Sequence, residues 1–223
     1  MSLPMVRRTP LGPTAEAAGP GLLRELLEKL ENAVSAVGSP VGQWLEDGIA
    51  PDEVEAQLSA VGLIPSDELI VWFGWHNGIR HAATAGIGAR VLPFLIPASL
   101  SEAIGRYRSL VLDFVVPPEG PVGGDPRVLA GGTGFGWLNL CNDNYGFAVA
   151  CRSEPRYLPR VRLIVDEWDD DPRSYQAVSL CTLVTWWIQA IEDGAVRWDN
   201  QNNLWTDPDP ELLPPLQVEV GMV

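Results

Sequence analysis

The chain reads as a single α+β domain, with an antiparallel-rich central sheet flanked by N-terminal helices and a closing C-terminal helix. Three observations predict this. Helical periodicity dominates the first third of the chain. Short, partly β-branched segments separated by turn residues follow in the second half. A strongly periodic apolar stretch then closes the domain at Ser179 to Asp193. Helices at both ends with strands between them do not alternate as a parallel βαβ sheet would. One large domain suits a length of 223 residues, and a hydrophobic content of 46% supplies a core for it.

Residues 1–20 show no period and are expected to be a disordered lead-in. No apolar run follows Arg7 and Arg8, so this stretch does not read as a secretory signal. The domain is expected over 21–205. From Leu22 to Val37, Leu22, Leu23, Leu26, Leu27, Leu30, Ala33, Val34 and Val37 recur at three and four residues on one helical face, and Gly38-Ser39-Pro40 ends the helix. Val41 to Leu45 is expected as one short helical turn. Pro51 to Val61 reads as a helix facing inward through Val54, Leu58 and Val61, with Pro51-Asp52-Glu53 at its positive N-terminal end. Residues 65–75 form a further helix that starts at Pro65-Ser66-Asp67-Glu68, carries Trp72, Phe73 and Trp75, and is expected to stop at Asn77-Gly78.

Arg90 to Ile96, bounded by Gly88 and Pro97, is expected as a strand. Ser99-Leu100-Ser101-Glu102 has the form of a capping box and opens a helix running to about Leu112. Pro117 to Gly136, rich in proline and glycine, reads as a long loop. Phe135 to Cys141 and Gly146 to Cys151 flank Asn142-Asp143-Asn144-Tyr145 as two strands of a hairpin, and Val161 to Asp166 supplies a third. In the closing helix Leu180, Leu183, Val184, Trp187, Ile188 and Ile191 share a face, Trp186 falls off it, and Gly194 follows as a C-cap. Residues 206–223, with Pro208, Pro210, Pro214 and Pro215, are expected to be an irregular tail.

The charge balance narrows the partners. Asp+Glu 29 against Lys+Arg 15 gives a net charge of −14. Such a field repels nucleic acid and anionic membrane and attracts a basic protein, although acidity also serves plain solubility. No apolar run is long enough for a transmembrane helix. Cys141, Cys151 and Cys181 are odd in number, contain no C-x-x-C pair and sit in apolar stretches. They read as buried, reduced thiols of a cytoplasmic protein rather than a disulfide or zinc framework.

Motifs that carry chemistry are weak. Gly131-Gly132-Thr133-Gly134-Phe135-Gly136 runs into a strand and lacks the Gly-Lys-Ser/Thr of a phosphate loop. Asp166-Glu167-Trp168-Asp169-Asp170-Asp171 clusters carboxylates without calcium-loop spacing or a turn glycine, so no metal site is expected. An aromatic ring among carboxylates does suit a cationic protein. Asp166, Glu167, Trp168, Asp169, Asp170 and Asp171 are therefore the candidate binding residues, with Trp186 and Trp205 as candidate surface anchors among nine tryptophans. His76 and His81, five apart across Asn77-Gly78, do not share a helix face and cannot form an H-x-x-x-H zinc pair. His76 is expected to be a helix-end residue with no second catalytic group placed near it. No catalytic residue and no cofactor is expected.

Four segments, in order, resemble one known family. They are the Leu63-to-Gly78 stretch, Pro97-Ala98-Ser99-Leu100-Ser101-Glu102-Ala103-Ile104 with Tyr107, Trp137-Leu138-Asn139-Leu140 before Asn142-Asp143 and Gly146, and Leu183-Val184-Thr185-Trp186-Trp187-Ile188. Over about residues 22–198 the chain is similar to the SUKH superfamily, and within it to the Smi/Knr-type domain. The loop at 117–134 and the proline-rich tail have no clear counterpart there. The resemblance implies an α+β domain without catalytic residues. It further implies an immunity protein that binds and neutralises a toxin, or a regulatory scaffold of Smi/Knr type with no toxin partner. A separate reading, a small hydrolase pairing one of the three cysteines with a histidine, is open to thiol labelling of the native protein.

Overall fold

Proline opens two of the first three helices, where its missing N–H costs nothing. In the computed structural model, which describes residues 2–9, 12–15, 17–80, 96–109, 137–142, 148–153, 161–164, 176–177, 179–202, 204–206, 209 and 211–212, helix α1 spans Pro20–Ala36. It buries Leu23, Leu26, Leu27, Leu30 and Val34, the stripe its periodicity predicts. A single helical turn, α2 (Val41–Trp44), leads into strand β3 (Leu45–Asp47). Helix α3 (Pro51–Ser59) carries Asp52 and Glu53 in its first turn and buries Val54 and Leu58. Helix α4 (Asp67–Trp75) is capped by Ser66, whose hydroxyl accepts the Leu69 amide at 3.3 Å.

The end of α4 differs from the expectation. The helix stops at Trp75, His76 is already extended, and Asn77-Gly78 lies inside strand β4 (His76–Ile79), which pairs antiparallel with β3. Gly78 is needed there for two reasons. Its φ is +86°, and a Cβ would come within 2.6 Å of the Ser99 backbone nitrogen. Asn77 Oδ1 accepts the Leu100 amide at 2.8 Å. The pair therefore docks the start of helix α5 (Leu100–Tyr107) rather than ending α4. The capping box on α5 forms as read, with Ser99 accepting the Glu102 amide and Glu102 accepting the Ser99 amide.

A five-stranded antiparallel sheet follows in the order β5 (Ile96–Pro97), β6 (Trp137–Asn142), β7 (Ala148–Arg152), β8 (Val161–Ile164) and β9 (Gln176–Ala177). The predicted hairpin is β6–β7, with Leu138 opposite Cys151 and a bulge between Asn139 and Cys141. Most of the expected strand at Arg90 to Ile96 and the whole loop at Pro117 to Gly136 lie outside the described residues.

Helix α6 (Leu180–Glu192) departs from its one-sided reading. Every residue from Leu180 to Ile188 is buried, because α1, β9 and the N-terminal strand at Gly12–Ala15 pack around it. Strand β2 (Gly12–Ala15) pairs with β1 (Val6–Thr9) in a stretch expected to be disordered. Ala15 is buried and its amide donates to Thr182 Oγ1 at 3.0 Å, a partner 167 residues away that no local pattern announces. The chain closes with β10 (Trp198–Asp199) paired to β11 (Leu204–Trp205). Trp198 sits edge-on to Trp205 at 5.5 Å and meets Trp44 at 6.0 Å.

Candidate functional site

The junction of α4 and β4 brings together the most chemically loaded side chains among the described residues. Helix α4 buries Trp72 and Phe73 and carries Trp75 and then His76 outward. The rings form a path from the core to the surface. Trp187 lies 6.4 Å from Trp72, Trp72 lies 5.5 Å edge-on to Trp75, and Trp75 lies 4.6 Å from His76. Glu31, on the polar flank of α1, receives the outer end. One of its carboxylate oxygens, Oε1, accepts both the Trp75 indole N–H and His76 Nε2, the latter at 2.9 Å.

The other imidazole nitrogen, Nδ1, is 2.8 Å from the Glu46 carbonyl oxygen. Both ring nitrogens thus lie within hydrogen-bond distance of an oxygen, and the tautomer decides which of them donates. Sequence reasoning placed no acid near His76. The structure corrects this, because the packing of α1 on α4 brings Glu31 to it across 45 residues.

Around this half-buried aromatic end the surface is acidic. Glu46 and Asp47 are exposed on β3, and Asp47 stands opposite His76 in the strand register. Arg80 donates to the Leu45 carbonyl at 3.1 Å and lies 3.8 Å from Asp47, a solvent-exposed and weak pairing. Over the described residues exposed carboxylates outnumber exposed cations, with Asp52, Glu53, Glu55 and Asp67 adding to the same sign on α3 and α4. Carboxylates around a Trp face suit an Arg- or Lys-bearing partner through charge and cation–π contact.

The predicted binding residues fare differently. Asp166, Glu167, Trp168, Asp169, Asp170 and Asp171 lie outside the described residues. Trp186 and Trp205, expected as surface anchors, are both buried at 2% exposure, Trp186 in the buried Leu180–Ile188 stretch of α6 and Trp205 against Trp198. Neither presents a ring to a partner. The aromatic that stands among carboxylates is instead Trp75. The helical pattern alone gave it no such place, because Glu31 reaches it only through the packing of α1 on α4.

The three cysteines form no disulfide and are buried, as read. Burial holds the Cys141 thiol far above its ordinary range. Burial also pushes the Cys181 thiol up to about 11, and the charge of nearby Glu68, itself buried, acts in the same direction. Both are therefore protonated and poor nucleophiles at neutral pH. Among the described residues no group of three or more His, Cys, Asp or Glu is placed to hold a metal ion, and no helix is long and apolar enough to cross a membrane. No protein-family model matches the chain, and no curated protein matches it.

Proposed function

We propose that this chain is a non-enzymatic cytoplasmic binding protein that recognises a cationic protein, as an immunity protein of SUKH type neutralises a basic toxin. The observation that carries the reading is the Trp75–His76 end of α4, half-buried and bordered by Glu31, Glu46 and Asp47 on a chain of net charge −14. Charge draws such a partner in, and a ring held by buried Trp72 and by Glu31 gives it something to pack on. Engagement of both His76 nitrogens and protonation of Cys141 and Cys181 favour binding over catalysis as the use of this surface.

The test is to mix the purified protein with toxin domains encoded beside it and measure binding by calorimetry at about 50 and about 300 mM salt. The expected result is a stoichiometric complex that weakens with salt. Glu46→Lys with Asp47→Lys should weaken it at least about tenfold, the scale of losing close charge pairs at an interface. A complex indifferent to salt and to this double substitution, or no complex with any of them, would sink the reading.

A further inference from the structure

We propose that the cationic partner's footprint runs from Trp75 over the exposed face of α1 and into a groove between α1 and residues 2–5, where the partner seats an apolar side chain flanked by Lys or Arg, a footprint that rests on the function proposed above. One half-buried ring is too small to hold a protein. A whole aromatic side chain buries about 150–250 Å². A specific interface covers about 800 Å² on each partner, so the remainder must come from surface next to Trp75.

The groove supplies such surface. It encloses a cavity of about 710 Å³, within the size range of binding clefts. Helix α1 lines it with Leu22 and Leu26, and the N-terminal segment lines it with Leu3, Pro4 and Met5. Met5 is 56% exposed, and its unbranched thioether adapts to the shape of an incoming apolar group. The rim sets the sign of the occupant. Glu25 and Glu28 line it and are exposed. Among the described residues no ion pair engages either of them, whereas Lys29, also on the rim, lies 3.2 Å from Glu192. Apolar walls below two carboxylates favour an apolar side chain carried beside a cation and repel an acidic segment.

Helix geometry joins the groove to Trp75. At about 100° per residue, Glu28 and Asn32 project from the solvent face of α1, with Leu22 and Leu26 on one flank and Glu31 on the other. Glu31 stands about one turn beyond Glu28 and accepts the Trp75 indole N–H. With side chains a helix is about 10–12 Å across, so one partner lying over α1 reaches both flanks. Arg24 is exposed on the same face, where Glu25, Glu28 and Glu31 outweigh it.

The experiment has two arms. Isotope-labelled full-length protein is titrated with octylammonium chloride and with sodium octanoate, followed by NMR. Octylammonium should shift the Met5, Leu22 and Leu26 resonances, octanoate should not, and Glu25→Gln with Glu28→Gln should abolish the difference. In the second arm the complex with the toxin domain is measured by calorimetry. Met5→Glu should weaken it at least about tenfold, with the thermal midpoint of the free protein unchanged. A complex lost in Trp75→Ala but indifferent to Met5→Glu would overturn this footprint and leave the function standing. Octanoate shifting the groove as strongly as octylammonium would also overturn it. No complex with any toxin domain would overturn both.

Discussion

Helices α4 and α6 start alike and end in different environments. Each is capped by a serine, Ser66 or Ser179, and each carries a tryptophan-rich centre, Trp72-Phe73 with Trp75 or Trp186-Trp187. Yet α6 is buried without a break from Leu180 to Ile188, through both of its tryptophans, while α4 comes to the surface in its last turn. The difference lies in what covers them. Strand β2, strand β9 and α1 surround α6, whereas α4 has α1 on one side, α3 on another and solvent beyond Trp75. Similar local sequences thus yield a structural centre in one case and an accessible aromatic edge in the other.

Breaking the α6 side should cost most. Trp187→Ala removes a fully buried ring that touches Trp72, and should destabilise by about 3–5 kcal/mol, read as a lower urea midpoint. Trp75→Ala should cost about 1–2 kcal/mol, because its ring is only partly covered, but should abolish partner binding that Trp187→Ala leaves intact in whatever fraction stays folded. If Trp75→Ala binds normally, the contrast between the two helices has no functional content. His76→Ala should cost about 1 kcal/mol by thermal denaturation, a modest value since Glu31 is 38% exposed and the Trp75 bond to it survives. Ser179→Ala and Ser66→Ala should each cost about 1 kcal/mol. The loss should be larger at Ser179, whose hydroxyl also lies 3.3 Å from Thr182 Oγ1 in the core.

The smallest effect should come from a turn remote from both helices. Asp199 accepts hydrogen bonds from the Asn202 side chain and from the Gln201 and Asn202 amides, and these hold its carboxyl below the usual 3.8. A lowered native value means stability that is present above the unfolded value and lost as pH falls through the native one. Asp199→Asn should therefore slightly lower stability at neutral pH and converge with the parent protein in acid, which flattens the acid limb, measured by urea titration at several pH values.

How much of this was legible varied with range. The α1 stripe, the proline starts of α1 and α3, the Ser99–Glu102 capping box and the β6–β7 hairpin all rest on residues within a few positions of one another, and each formed as read. The β1–β2 hairpin could not be read, because its one buried anchor depends on Thr182. Asn77-Gly78 was misjudged for the same kind of reason, its glycine being required by Ser99 and its asparagine by Leu100. At the candidate site His76 was visible as a residue worth attention, but Glu31 and the Glu46 carbonyl were not visible as its partners.

By itself the sequence determined most of the helices, the β6–β7 hairpin, the capping box, the acidity and the α+β class, since propensity, periodicity and charge act over one or two turns of chain. Tertiary structure alone decided which tryptophans are buried, which end of α4 meets water, and which carboxylate meets Trp75. Burial and encounter depend on elements far apart in the chain, and no local pattern encodes which of them will lie against which.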